Sequence, residues 1–204
     1  MKRLVHQSYS EELGIDLKSG KSEEIFKWFL ASILFGARIS ETIAKNTYKA
    51  LEKYKLLTPE AIIKSGWDFL VSHIMAEGGY VRYDGKTSTT LLEICEKLIK
   101  EYNGDINQLH KIAKDSEDLE QKLMEFKGIG PITVNIFLRE LRGIWSKADP
   151  EFCEYVLIAA KNLGIKDIKK YWQQHRIKGY TFVNFEVALL KIGKDLCHKK
   201  RNLG

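Results

Sequence analysis

Cysteine is scarce in this chain. Three in 204 residues (Cys95, Cys153 and Cys197) are too few and too scattered for a disulfide scaffold or a four-cysteine metal site. Reduced thiols in a cytoplasmic protein are the expectation. Long apolar runs are missing too. The most apolar stretch, residues 25–37, is interrupted by Lys27 and stays below the roughly 18 residues of a membrane span. The opening Met1-Lys2-Arg3-Leu4-Val5-His6-Gln7 lacks the apolar run of a signal peptide, so no membrane partner is expected. The histidines His6, His73, His110, His175 and His198 show no metal-ligand spacing, and neither a Ser/His/Asp nor a phosphate-loop pattern occurs. No metal site is therefore expected. With only Pro59, Pro131 and Pro150 as breaks, helices run long.

What is present is a globular balance of 44% apolar and 29% charged residues, which argues against wholesale disorder. Thirty-three Lys and Arg against 27 Asp and Glu leave +6, an excess that leans towards a polyanionic partner. Helical spacing recurs along the chain. Ile25, Trp28, Phe29, Ser32 and Ile33 form one stripe, widened by Phe26 and Leu30. Leu91, Cys95, Leu98 and Tyr102 form a second, and Leu119, Leu123 and Phe126 a third. Val134, Phe137, Leu138 and Leu141 repeat at i, i+3, i+4 and i+7, and the pattern returns after Asp149 in Phe152, Val156, Ala159 and Leu163. Thr58-Pro59-Glu60 reads as a capped helix start. Alternation of period two is confined to residues 79–84, where the glycines suit a loop. The expected class is all-α, with about ten helices.

Residues 119–141 (LEQKLMEFKGIGPITVNIFLREL) carry the chemistry. An amphipathic helix ends at Phe126-Lys127, a Gly128-Ile129-Gly130 turn follows, and Pro131 opens a second helix. Such a turn aims successive backbone N–H groups from a helix N-terminus, a geometry suited to phosphate, and Lys127 adds a point charge beside it. Further on, Asp149-Pro150-Glu151 reads as a helix opening with Asp149 as its cap. Arg139 and Arg142, three apart, are expected to share a face; with Lys147 they can form a phosphate-binding rim, and a solvated surface or pairing with Glu140 is an equal alternative.

Together, Gly128-Ile129-Gly130, Thr133 and the run Arg139-Glu140-Leu141-Arg142-Gly143-Ile144-Trp145-Ser146-Lys147-Ala148-Asp149 resemble the helix-hairpin-helix DNA glycosylase superfamily, the endonuclease III-like base-excision enzymes. Asp149 stands at that family's catalytic spacing. The resemblance covers roughly residues 22–160, with weaker echoes in Ser32–Ser40 and Tyr83–Lys86. It implies a two-lobed helical fold. One lobe would be residues 23–147, containing the hairpin at 119–141, and the other residues 1–22 with 148–204. It also implies a monomer, associated with the nucleoid, acting on double-stranded DNA that carries a damaged or mismatched base.

Asp149 would be the catalytic carboxylate. Lys127, Gly128, Ile129, Gly130 and Thr133 would grip the strand, with Arg139 and Lys147 on further phosphates. Arg38 would be the side chain that fills the gap left by an extruded nucleotide; Tyr80, Tyr83 and Trp145 are candidates to stack on the extruded base, with core packing or interface filling the expected role of each. Two departures narrow the expectation. Members that also cut the strand have a Lys where this chain has Ile132, so a monofunctional enzyme is expected. Only Cys153 and Cys197 follow Asp149, so the iron–sulfur cluster of many relatives is not expected, and the one ion the resemblance allows is a monovalent cation on the hairpin backbone. Three alternatives stay open at this point: a DNA-binding protein without catalysis, a glycosylase/lyase using an atypical Lys such as Lys147, and a helical protein–protein module with no DNA role.

Overall fold

The computed structural model describes residues 4–201, with side chains to residue 199. The described residues form helices and no strand. The order is α1 (Tyr9–Glu12), α2 (Ser22–Gly36), α3 (Glu41–Lys53), α4 (Pro59–Phe69), a π-helical stretch (Leu70–Met75) running into α5 (Ala76–Gly78), α6 (Asp84–Tyr102), α7 (Asn107–Ile112), α8 (Ser116–Met124), α9 (Pro131–Glu140), α10 (Glu154–Asn162), α11 (Ile168–Gln174) and α12 (Phe182–Arg201). No helix among them is long and apolar enough to cross a membrane.

The chain divides into two units, residues 15–149 and residues 1–14 with 150–204. Residues 15–22 go with the larger unit, where the sequence reading had put them in the other lobe. Their anchors are the buried side chain of Leu17 and the backbone N–H of Asp16, which donates to Glu24 Oε2 at 2.8 Å.

Helix α2 is the axis of the larger unit. Its stripe from Ile25 to Leu34 is buried on almost every side, and it packs against α3 and α9. The Trp28 indole Nε1 donates to the Phe137 carbonyl of α9 at 3.0 Å, which satisfies the polar edge of a fully buried ring. Phe29 meets Phe137 at 5.0 Å and Phe126 at 5.9 Å between ring centroids, so one aromatic cluster joins α2, α9 and the residue ending the α8 turn. Where α2 ends, Gly36 lies on Thr133 of α9. A Cβ at Gly36 would stand 2.2 Å from Thr133 Oγ1, so only glycine lets the two helices approach this closely. The start of α4 is capped as its sequence indicates: the Thr58 hydroxyl accepts from Ala61 N at 3.2 Å, and Pro59 takes the first turn.

In the smaller unit α12 packs on α10. Trp172 of α11 stacks on Phe185 at 5.5 Å, and Phe152 meets Phe182 at 6.2 Å. The N-terminal segment is tied in by Asn184, whose buried amide donates to the His6 carbonyl at 3.0 Å and to Glu11 Oε2 at 2.8 Å.

Candidate nucleic-acid interface

The turn between α8 and α9 is built from two constraints that coincide at one residue. Gly128 has φ +81°, and a Cβ there would stand 2.8 Å from Thr90 Cγ2, so both backbone conformation and space demand glycine. Ile129 N closes the turn on the Phe126 carbonyl at 3.0 Å, and the Ile129 side chain is buried. Gly130 then caps α9 in an extended conformation, with no side chain accepting from the first-turn N–H groups. Those donors belong to Ile132 and Thr133, since Pro131 has none, and they are of the kind that bind an anion at a helix start.

Around this turn the side chains are unequal. Lys127 is exposed and pairs with Glu93 at 2.6 Å. Ile132 is 69% exposed. Thr133 is buried, its side chain against Gly36. The same contact sets the loop after α2 beside the start of α9, because exposed Arg38 stands two residues past Gly36.

Past α9 the structure differs from the sequence reading in three ways. First, Asp149 caps no helix: α10 begins at Glu154 with Cys153 as its N-cap, and residues 149–153 form no helical turn. The Asp149 side chain is half exposed, and its Oδ1 accepts from Arg142 Nη1. Second, the candidate rim of Arg139, Arg142 and Lys147 does not form. Arg139 is 3% exposed, and the Arg142 side chain 6%, its guanidinium turned to Asp149. Third, Lys147 bends back, its Nζ donating to the His110 carbonyl at 2.7 Å near the end of α7. A cation at that place satisfies a terminal carbonyl and the negative helix end.

Of the aromatic candidates, Tyr80 and Trp145 are buried. The Tyr80 hydroxyl bonds Thr87 Oγ1 at 2.8 Å, and Trp145 Nε1 donates to Asn107 Oδ1 at 2.9 Å. Tyr83 is exposed, in the left-handed region at φ +65°, with the Arg82 guanidinium 5.1 Å over its ring. Val81 beside it is 78% exposed. The short period-two alternation over residues 79–84 is the one sequence signal here, and its glycines mark it as a loop. No protein-family model matches this chain, and no curated protein sequence matches it. Among the described residues no group of three or more His, Cys, Asp and Glu is gathered to hold a metal.

His110 gives this region a pH response. Its ring stacks on Trp145 at 5.1 Å, and burial, then the charge of Lys147, hold the imidazole below its usual range. Charging it therefore costs more in the folded than in the unfolded chain. The stability tied to neutral His110 is whole above the unfolded value of about 6.5 and is lost as pH falls below it. Melting temperature should drop on acidification from pH 6.5, and His110→Gln should flatten that part of the curve. Identical slopes in both proteins would refute the assignment.

Proposed function

We propose that this protein is a DNA base-excision glycosylase that hydrolyses the N-glycosidic bond of a damaged or mismatched base and leaves the strand intact. The observation that carries the reading is the pair of features on α9 and the loop after it: an uncapped, solvent-facing helix start at the Gly128–Gly130 turn, and an accessible carboxylate on Asp149. The resemblance of this same segment to base-excision enzymes supplies the substrate class.

In this reading the turn N–H groups and Lys127 take strand phosphates, Lys127 exchanging Glu93 for them. The target nucleotide leaves the stack, with exposed Arg38 and Val81 available to fill the space. As the C1′–N bond breaks, the base departs with the bonding pair and positive charge spreads over C1′ and the ring oxygen. Water adds to C1′ and gives up a proton. The Asp149 carboxylate offsets the charge and accepts that proton, held in orientation by Arg142. Ile132 has no amine to form an imine with the sugar, and the Lys147 amine is engaged by the His110 carbonyl, which favours simple hydrolysis over strand cleavage.

The test is a panel of duplexes carrying uracil, thymine opposite guanine, an alkylated purine or an oxidised base, each assayed with and without alkali. Scission of one lesion strand only after alkali is expected; scission without alkali would indicate a lyase. If no lesion is excised while duplex binding persists, the second reading replaces the first: a DNA-binding protein without catalysis. The Arg142 contact favours that second reading, because a guanidinium already matches the Asp149 charge.

A further inference from the structure

The positive excess of this chain is unevenly placed. Residues 15–149 hold 20 Lys and Arg against 20 Asp and Glu, whereas residues 1–14 with 150–204 hold 13 against 7, so the whole +6 belongs to the smaller unit. Both units hold ion pairs, Lys191 with Glu12 at 2.6 Å in the smaller one, but one stretch of the smaller unit has few acids to pair with. In the larger one Lys45 pairs with Glu41 at 2.8 Å, Lys53 with Glu77 at 2.8 Å and Lys122 with Asp118 at 3.6 Å. In the smaller one, the stretch 161–178 exposes Lys161, Lys166, Lys169, Lys170, Arg176 and Lys178 with Asp167 as the one acid among them. That carboxylate is occupied as the cap of α11, accepting from Lys170 N at 2.9 Å. Lys161, Lys166, Lys170, Arg176 and Lys178 make no ion pair among the described residues.

Crowding like charges on one stretch destabilises the folded chain through mutual repulsion, and for those five cations no ion pair offsets it. The apolar side of α11 is turned inward, with Ile168 and Trp172 buried, and Leu163 is the one large apolar side chain of 161–178 that is well exposed, so the stretch offers solvent charge with a single apolar side chain and no inserting apolar face. Such a surface fits the repeating phosphates of a nucleic-acid duplex better than a lipid bilayer, where binding draws on apolar burial as well. We infer that the 161–178 surface binds the sugar–phosphate backbone of duplex nucleic acid without regard to sequence, as an electrostatic anchor separate from the Gly128–Gly130 turn. The inference goes beyond the excision reading and does not depend on it.

Binding of the full chain to an undamaged duplex, followed by fluorescence anisotropy between 50 and 200 mM salt, tests this. The triple variant Lys166→Gln, Lys170→Gln, Lys178→Gln should reduce the slope of log K against log salt by about 0.9 for each phosphate it no longer neutralises, roughly 2–3 in total. A control variant with the same charge change on exposed lysines of the larger unit (Lys49→Gln, Lys64→Gln, Lys100→Gln) should keep the wild-type slope. The inference is overturned by an unchanged slope in the first variant, or by an equal fall in both. It is also overturned if vesicles of phosphatidylserine and phosphatidylcholine, rather than duplex, are what the first variant ceases to bind. Loss of the excision reading shows separately in the lesion panel, which does not enter this measurement.

Discussion

Asp149→Asn should lower single-turnover excision by about 10²- to 10⁴-fold while leaving duplex affinity nearly unchanged. That range is what a positioned proton acceptor contributes. An amide keeps the shape of the side chain but neither accepts the water's proton nor offsets the charge on the sugar. The Arg142 side chain it faces is only 6% exposed, so loss of the matching charge should also lower the melting temperature, and excision is compared at a temperature where both proteins are folded. Arg142→Gln provides the companion measurement. It removes the group that holds Asp149 Oδ1, and a loose carboxylate misplaces the water, so excision should fall by about 10²-fold. The carboxylate left behind is hydrated rather than stranded, which separates this case from the breaking of a fully buried pair. Full excision by Asp149→Asn would remove the carboxylate from the mechanism. A faster Arg142→Gln enzyme would mean that the guanidinium competes with the sugar for Asp149 instead of positioning it.

Phe29→Ala should have the largest effect on stability, about 3–5 kcal/mol, as expected for truncating a fully buried phenylalanine. Phe29 is 1% exposed and touches both Phe137 of α9 and Phe126 at the end of the α8 turn. The cavity therefore opens between α2 and the two helices that carry the turn. Urea unfolding followed by tryptophan fluorescence reads the loss directly, since Trp28 sits in the same buried helix face. Duplex binding should weaken with it, because Phe126 and the Ile129-to-Phe126 bond set the backbone of the turn. A cost below about 1 kcal/mol would show that the cluster is not packed as described.

Much of the helical layout was legible in the sequence. The stripe Val134, Phe137, Leu138 and Leu141 is buried throughout, as is the stripe through Trp28 and Phe29, and Thr58 caps α4 where the Thr-Pro-Glu pattern places a start. The expectation that failed most instructively concerns Asp149-Pro150-Glu151. Locally it is a good helix opening, yet the chain there passes from one unit to the other, Phe152 packs on Phe182, and the helix waits until Glu154. Tertiary packing outweighs a local preference of a kcal/mol or so. Arg139 failed for a related reason. Its charge and its spacing from Arg142 suggested a solvent face, but α9 is enclosed on that side and Arg139 is buried.

The sequence by itself determined the helices, their apolar stripes and the glycine turn at 128–130, because each follows from residues a few positions apart: a 3.6-residue period, a cap, a positive φ. Only the tertiary structure decided which polar groups reach solvent. It folded Thr133 onto Gly36, sank Arg139, drew Lys147 to the His110 carbonyl, and left Asp149 half exposed against Arg142. Those outcomes depend on where a loop returns the chain, and no local period encodes that return.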